Sequence, residues 1–239
     1  LYTESLSRIA ASWLWNDSAL PYAGEDFERA MVNVVQAMNF IALGEYDSAL
    51  VEARNASQTL QALNDRYPSG RKNIYDDDAF VRFLMGIIYE CLGERQNLND
   101  AFISYQKALE LYDGLFRKNY EVAPPELLKE NLLSAADWMG AREAEHYQKA
   151  FSGTRMVSRE ERQRKAEVYI LYFRGQIVNK VSSGIVLPGM DGLLTRISFP
   201  RYRTGFKAAA VISARALGPD GQEQSILLER VHDIDAVAR

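Results

Sequence analysis

The chain has 239 residues, of which 47% are hydrophobic, 25% charged and 11% aromatic. This is enough apolar surface for one large core or two small ones, and it excludes wholesale disorder. The formal net charge of −4 gives no overall positive field to attract nucleic acid, so we expect no nucleic-acid partner.

Two parts of the chain differ in pattern and in charge. Residues 1–165 follow the helical period, whereas residues 166–239 are strand-like. The second part holds nine Lys or Arg and seven Asp or Glu, a net charge of +2, which leaves −6 for the first part. We therefore predict a mainly α protein. A helical-repeat array in residues 1–165 is followed, in residues 166–239, by a small β-rich domain with an antiparallel sheet and the start of a closing helix.

A polar cluster leads into the first predicted repeat. Acidic residues there favour the positive start of the following helix, and Glu52 can pair with Arg29 or Arg54 across two antiparallel helices. Its interpretation is open between a structural ion-pair network, a partner-binding surface and a catalytic acid–base pair. The cluster consists of Tyr22, Glu25, Asp26, Glu28, Arg29, Glu52 and Arg54.

Two sets of small and aromatic residues recur along the helical part. The spacings agree except between the glycine and the next alanine, which is five residues after Gly44 and eight after Gly93. We expect both glycines to end a helix in the left-handed conformation, and we place three extra residues in the second turn, within residues 94–100. The first set is Ala37, Phe40, Gly44, Ala49, Ala53 and Ala56, and the second is Gly86, Tyr89, Gly93, Ala101, Tyr105 and Ala108.

This pattern resembles the tetratricopeptide repeat, in which small residues let two antiparallel helices approach and aromatic residues fill the space between units. The resemblance covers about residues 30–115. It departs from the family in period, because 49 residues separate Gly44 from Gly93, against about 34 in the standard repeat. We attribute the surplus to residues 57–78, where Tyr67-Pro68-Ser69-Gly70 breaks a prolonged second helix.

Four further features of the helical part are predicted. Cys91, the single cysteine, lies in an apolar run and is expected to be a small buried residue. The run Asp76-Asp77-Asp78 lacks the spacing of a calcium loop, and we expect Asp78 to cap the following helix. A third helical unit begins after Pro125 and its first helix stops at Gly140. The arginine-rich residues 152–165 are expected to be a solvated connection.

Four strands are predicted in the second part. The order Pro-Asp-Gly in Gly218-Pro219-Asp220-Gly221 fits a type I turn followed by a left-handed glycine, so the flanking segments form a hairpin. Residues 186–192 are assigned to a turn, and Pro200 places its strand at a sheet edge or strand end. The strands are Val168–Phe173, expected to be buried on both faces, Leu194–Phe199, Ala208–Leu217 and Ser225–Val231.

The sequence contains no motif for nucleophilic catalysis, phosphate binding or metal binding. Gly-x-Ser-x-Gly, a glycine-rich phosphate loop and His-Glu-x-x-His are all absent. The two histidines, His146 and His232, lie in different parts of the chain, and neither lies near Cys91 at a zinc-ligand spacing. We therefore expect no catalytic residue, no metal and no cofactor.

Two segments carry a second resemblance: residues 16–29, from Asn16-Asp17-Ser18 to Phe27-Glu28-Arg29, and residues 49–54, Ala49-Leu50-Val51-Glu52-Ala53-Arg54. They resemble an uncharacterised family of bacterial envelope proteins, of lipoprotein type, with degenerate tetratricopeptide-like repeats and a C-terminal strand-rich domain. The likeness extends to Ile197-Ser198-Phe199-Pro200 and residues 233–238. It implies a periplasmic location, with a lipid-bearing segment missing before Leu1 and membrane association only through that anchor.

These observations predict a non-enzymatic protein–protein interaction scaffold or adaptor in a bacterial cell-envelope assembly for secretion or cell-wall construction. The expected partners are other envelope proteins, with the chain acting as a homo-oligomer or as a subunit of a larger complex. The alternative is a carboxylate-dependent glycan hydrolase, in which Glu25, Asp26 and Glu52 supply the acid and the base.

Overall fold

Helices make up most of the chain, and short antiparallel strands follow near its C-terminus. This confirms the prediction of a mainly helical protein with a small antiparallel sheet region at the end.

The computed structural model describes residues 24, 26–65, 77–164, 168–172, 179–188, 194–203, 213–218, 221–229 and 231. The helices are α1 (Asp26–Leu43), α2 (Tyr46–Asn64), α3 (Ala79–Leu92), α4 (Arg95–Leu111), a π-helical segment (Tyr112–Phe116), α5 (Arg117–Tyr120), α6 (Glu126–Met139), α7 (Ala141–Ala150) and α8 (Arg159–Gln163). The strands are β1 (Asn179–Pro188), β2 (Leu194–Arg203), β3 (Ser213–Leu217) and β4 (Glu223–Leu227).

Left-handed glycines end α1 and α3, as predicted. The φ angle is 77° at Gly44 and 71° at Gly93. After α1, the N–H of Gly44 donates to the carbonyl of Ile41, and the N–H of Glu45 donates to the carbonyl of Phe40 at 2.9 Å. This closure satisfies carbonyls that the helix end would leave free. Each connection is two residues long, which makes α1 antiparallel to α2 and α3 antiparallel to α4.

The three extra residues of the second set lie in a helix, so the prediction of a longer turn is wrong. Helix α4 begins at Arg95, directly after Glu94. Three residues add nearly one helical turn before Ala101. Ala101 therefore stays on the buried side of its helix, as Ala49 does, and both have an exposed fraction of 0%.

Small residues lie where the helices meet. In chain order α1 packs on α2, α2 on α3, α3 on α4, α4 on α6 and α6 on α7. At the contact between α3 and α4, a Cβ atom added to Gly86 would lie 2.2 Å from the Cε1 atom of Tyr105. Only glycine therefore allows this approach. The buried alanines of the first hairpin are Ala30, Ala37, Ala49, Ala53 and Ala56.

The π-helical segment directs two aromatic rings into the core. Tyr112 and Phe116 are fully buried, and their ring centroids lie 5.6 Å apart. The hydroxyl of Tyr112 donates to the carbonyl of Val231 at 2.5 Å. This bond joins the C-terminal region to the helical part over a long sequence separation.

Asp78 caps α3, as predicted, whereas the prediction for Cys91 is wrong. The Asp78 carboxylate accepts a hydrogen bond from the N–H of Val81 at 3.0 Å and is fully buried. Cys91 is exposed. It lies in the last turn of α3, beyond Tyr89, the last buried residue of that helix. The apolar run that contains Cys91 therefore extends past the buried part of the helix.

The helix predicted to follow Pro125 and to stop at Gly140 is present. Helix α6 starts directly after Pro125 and ends at Gly140, where φ is 136°. The carboxylate of Glu229 accepts a hydrogen bond from the N–H of Leu127 at 3.2 Å. A residue that follows the strands thus satisfies one of the free N–H groups at the start of α6.

In the described part of the chain the strands pair as two antiparallel hairpins, whereas the sequence predicted that all strands join in one sheet. Strand β1 pairs antiparallel with β2, from Asn179 opposite Arg203 to Pro188 opposite Leu194, and β3 pairs with β4. The β3–β4 hairpin is the one predicted around the Pro-Asp-Gly turn, and Gly221 has the expected positive φ of 75°. Among the described residues each sheet has two strands, so β2 has one unpaired edge there, which fits the position of Pro200 within it.

Two strand assignments from the sequence are wrong. Residues 168–172 form no strand, and Val168 is 83% exposed. The prediction failed because an apolar run without periodicity does not by itself specify a strand. Residues 186–188, assigned to a turn, are the end of β1. The domain boundary predicted between residues 165 and 166 stays a prediction, since residues 165–167 lie outside the described part of the chain, as does the closing helix near Asp233.

Candidate functional site

The predicted polar cluster is only partly within the described residues. Tyr22 and Glu25 lie outside them, and Asp26 is the first residue of α1, with its side chain outside the description. Glu28 is half-buried and Arg29 exposed, one turn into the same helix. The α1 members of the cluster thus occupy the helix start, where acidic residues are favoured by the helix dipole.

Glu52 and Arg54 join neighbouring helices, each through a partner that the sequence did not indicate. Glu52 on α2 accepts a hydrogen bond from the side-chain amide of Asn33 on α1 at 2.8 Å, in place of the predicted arginine. The Nε of Arg54 donates to the hydroxyl of Tyr89 on α3 at 3.0 Å, and its guanidinium lies 5.5 Å from the centre of that ring. These contacts fix α2 between α1 and α3.

A buried polar network that the sequence did not predict lies at the other end of the helical part. Arg162 on α8 forms an ion pair with Glu90 on α3, with side chains only 12% and 10% exposed. Its second terminal nitrogen donates to the side-chain oxygen of Asn131 on α6 at 2.7 Å. Glu90 also accepts a hydrogen bond from the hydroxyl of Tyr105 on α4. Arg162 therefore connects the short α8 directly to α3 and α6, and through Glu90 to α4.

Asn131 is the second branching point of this network. It is fully buried, and its side-chain nitrogen lies 3.4 Å from the hydroxyl of Tyr105 and 3.3 Å from the hydroxyl of Tyr169. Tyr169 belongs to the extended segment of residues 168–172. The guanidinium of Arg162 lies 5.8 Å from the ring of Trp138, whose Nε1 is buried without a hydrogen-bond partner in the described structure. The network thus attaches the chain that leaves α8 to the core.

Burial and charge keep Tyr105 protonated. The pKa of its hydroxyl is raised well above the ordinary value of 10.0, first because the group is buried and then because the Glu90 carboxylate is close. The same cause, burial, raises the pKa of Tyr112, with a further contribution from Asp78. Neither phenol is ionised at neutral pH, so both act as hydrogen-bond donors that hold the structure together.

A second, more exposed group of polar residues lies between α6 and the turn after α7. The Glu126 carboxylate accepts a hydrogen bond from the ammonium of Lys129, with which it forms an ion pair at 2.8 Å, and another from the hydroxyl of Thr154 at 2.5 Å. These two hydrogen bonds lower the pKa of Glu126. One turn later, burial together with the charges of Glu126 and Glu229 raises the pKa of Glu130. A shallow, open depression beside them is lined by Phe151 and neighbouring residues.

The described residues contain no group of three or more His, Cys, Asp or Glu side chains placed to hold a metal ion. Within the same residues, no helix is long and apolar enough to cross a membrane. His146 is exposed on α7, and His232 lies outside the description. The contacts of the polar groups described above are hydrogen bonds and ion pairs.

Two groups of exposed apolar residues are further candidate binding features among the described residues. Helix α1 presents Val32, Val35 and Leu43, which are 58%, 46% and 70% exposed. Strand β1 presents Val181, Ile185 and Leu187 on one face, which are 37%, 54% and 45% exposed. Sequence reasoning did not identify either surface, although the valine spacing on α1 is a readable signal.

The sequence does not predict the buried network around Arg162, because its members are far apart in the chain. Glu90 and Arg162 are separated by 72 residues. The arginine-rich stretch around Arg162 resembled a solvated connection, and no local pattern marks one of its arginines as buried. Comparison with protein-family models, with curated proteins and with solved structures finds no match to this chain.

Proposed function

We propose that the chain is a non-enzymatic scaffold or adaptor, built on tetratricopeptide-like helical hairpins, that binds other proteins. The observation that carries this proposal is the close packing of consecutive antiparallel helices through small residues. Gly86 lies against the ring of Tyr105 with no space for a methyl group. Helical hairpins stacked in this way create extended surfaces suited to protein partners.

The correspondence between the two hairpins supports a repeat interpretation. Both begin with a helix that ends at a left-handed glycine, Gly44 or Gly93, followed by a two-residue connection. In both second helices, the residues at matching positions are buried. Those residues are Ala49, Ala53 and Ala56 in α2 and Ala101, Tyr105 and Ala108 in α4.

The described polar contacts favour a scaffold over a glycan hydrolase. A carboxylate-dependent hydrolase needs two carboxyl groups about 5 to 9.5 Å apart in an open cleft. Glu52, one of the three candidates, accepts a hydrogen bond from Asn33 and joins two helices. Glu90, the carboxylate of the buried network, is paired with Arg162. Both carboxylates thus act in holding helices together.

The cellular setting that we propose is a bacterial envelope assembly for secretion or cell-wall construction, with a periplasmic, lipoprotein-type location. This part rests on the resemblance of residues 16–29 and 49–54 to bacterial envelope proteins. The partners are then other envelope proteins. Localisation of the natural protein by cell fractionation tests this setting, and recovery from the cytosol alone would contradict it.

The proposed function is tested by capture from an envelope extract of cells that lack this chain. The immobilised 239-residue chain is compared with three variants of exposed apolar residues in the helical part, Val51→Lys, Ile103→Lys and Leu127→Lys. We expect at least one envelope protein to be retained by the wild type and lost in one of these variants. Retention of no protein would contradict the proposal. Release of reducing sugar from envelope glycan by the wild type, abolished in Glu52→Gln, would establish the hydrolase instead.

A further inference from the structure

The guanidinium of Arg162 is seated among side chains of α3 and α6. One terminal nitrogen forms an ion pair with the Glu90 carboxylate, and the other donates to the side-chain oxygen of Asn131 at 2.7 Å. The ring of Trp138 lies 5.8 Å from the guanidinium carbon. Acceptors for both terminal nitrogens together with an aromatic ring are typical of arginine recognition, and a lysine ammonium does not satisfy them in the same way. We call Glu90, Asn131 and Trp138 the arginine cradle.

The acceptors of the arginine cradle are oriented by the helical array. The hydroxyl of Tyr105 on α4 donates to Glu90. The side-chain nitrogen of Asn131 lies 3.4 Å from the same hydroxyl, which turns the Asn131 oxygen toward Arg162. Helix α3 packs on α4 and α4 packs on α6, with the Tyr105 ring against Gly86. The cradle is therefore built from helices that pack on one another without α8.

Helix α8, which carries Arg162, is a short element with an exposed surface. It has five residues, and its main packing contact is with α6. Glu160 and Arg164, on either side of Arg162, are exposed. In the extended segment that follows, Val168 is 83% and Tyr172 is 60% exposed. Elements with few buried contacts open locally at a low cost in free energy, so the release of Arg162 from the cradle does not require the array to unfold.

Acidic side chains lie beside the arginine cradle. The pKa of Glu130 on α6 is raised by burial and by the charges of Glu126 and Glu229. The charges of Arg155 and Arg162 oppose this rise. Release of Arg162 therefore leaves an excess of negative charge around the open cradle, and this charge attracts another cation to it.

We propose that the arginine cradle binds an arginine side chain of a protein partner, and that Arg162 occupies it in the unbound chain as an internal competitor. The ligand chemistry follows from the guanidinium that is seated there. The Nε1 of Trp138, buried without a hydrogen-bond partner in the described structure, provides a further donor for a carbonyl of the partner. This inference rests on the proposed scaffold function and deepens it by naming the group that the partner presents.

Chemical rescue of Arg162→Ala tests the site by itself. This variant of the full chain removes the internal competitor, so N-acetyl-arginine amide should stabilise it against urea. A ligand with a Kd of about 5 mM, added at about 50 mM, raises the folding equilibrium constant about tenfold. If Arg162→Ala does not fold alone, the same ligand should restore its helical circular dichroism, because binding to the folded state shifts the folding equilibrium.

Two matched ligands and two variants serve as controls. N-acetyl-citrulline amide has the same shape without the charge, and N-acetyl-lysine amide has the charge without the fork, so each should raise the folding constant less than about twofold. Arg162→Ala/Glu90→Gln lacks the carboxylate and should not respond to the arginine ligand. Arg164→Ala removes an exposed arginine of the same stretch and should not respond either. Equal rescue by the arginine and citrulline ligands, or no rescue by either, would overturn the site.

The second measurement is the affinity for the envelope protein that the chain retains. If Arg162 leaves the cradle open in at most about a tenth of the molecules, its removal strengthens binding about tenfold or more. Arg162→Ala should therefore bind the protein at least about tenfold more tightly than the wild type, and Arg162→Ala/Glu90→Gln should lose this gain. Equal affinities of all three chains would overturn the partner role of the cradle and leave the scaffold function standing. Retention of no protein by any of them would overturn the scaffold function as well, even where the rescue succeeds.

Discussion

Replacing Gly86 by alanine tests the close packing of α3 on α4. The added methyl carbon would lie 2.2, 2.4 and 2.8 Å from three carbons of the Tyr105 ring. Ordinary contact begins at 3.4 Å, so the ring must retreat by about 1.2 Å. It has no free space in which to do so, because Tyr105 is fully buried and lies 5.9 Å, centre to centre, from the ring of Phe83.

The expected cost combines three effects. Overpacking a core costs about 1 to 3 kcal/mol. Displacing the Tyr105 hydroxyl from Glu90 and Asn131 disturbs buried hydrogen bonds and costs about another 1 to 3 kcal/mol. Alanine returns about 1 kcal/mol, since glycine is the poorer residue in a helix interior. The free energy of unfolding is therefore expected to fall by about 3 kcal/mol, within a range of about 1 to 5.

Urea denaturation followed by circular dichroism measures this change, with Gly114→Ala as the matched control. Nothing lies within 4 Å of a Cβ at Gly114, so the control is expected to change stability by less than about 1 kcal/mol. A Gly86→Ala variant as stable as the wild type would refute the close approach of the two helices. In a Tyr105→Leu background the cost of Gly86→Ala is expected to drop sharply; an unchanged cost there would show that the ring is not its cause.

Three other predictions concern polar groups. Arg162→Met removes the cation that pairs with the buried Glu90 carboxylate. It is expected to lower the free energy of unfolding by about 3 to 5 kcal/mol in urea denaturation, and adding Glu90→Gln should restore part of that loss. A loss below about 1 kcal/mol, as for an exposed pair, would contradict the burial of this pair. Asp78→Ala is expected to lower the free energy of unfolding by about 1 kcal/mol through loss of the helix cap, while Asp78→Asn retains the cap, and equal losses in both would argue against it. Because the pKa values of Tyr105 and Tyr112 are raised in the folded state, the unfolded chain loses these protons first above pH ~10. Their contribution to stability should therefore be constant below that pH and should fall above it by about 1.4 kcal/mol per pH unit for each tyrosine. Tyr112→Phe should reduce that slope, and a flat profile to pH ~11 would contradict the raised pKa values.

The parts of the fold that sequence reasoning predicted correctly are those set by local chemistry. Gly44 and Gly93 end helices because few other residues adopt the left-handed conformation. Asp78 caps α3 because a short carboxylate reaches the free N–H groups of the first turn. The turn ending at Gly221 follows from the same kind of backbone preference.

The errors come from segments whose local pattern does not by itself decide their structure. An apolar run such as residues 168–172 reads the same whether it is a buried strand or an extended segment, and tertiary contacts decide between them. Strand β1 was missed because Ser182-Ser183-Gly184 interrupts its pattern and Pro188 ends it. The exposure of Cys91 follows from its position in the last turn of α3.

The candidate site shows the same division. The spacing of Glu52 and Arg54 correctly placed both residues on one helix, but their partners Asn33 and Tyr89 lie on neighbouring helices. No sequence pattern connects such residues in advance. Membership of the buried network around Arg162 likewise requires the packed structure, since the surrounding stretch contains other arginines that are exposed, Arg155 and Arg164.

The scaffold proposal is tested most directly by titration calorimetry between the purified full chain and the envelope protein that it retains. We predict saturable binding with a Kd between about 0.1 and 100 µM. The affinity should fall at least about tenfold, or 1.4 kcal/mol, in the helical-surface variant that loses the protein in the capture experiment, and it should be unchanged by Ile185→Lys on β1. A chain that binds no envelope protein in this range, while it cleaves envelope glycan through Glu52, would contradict the account.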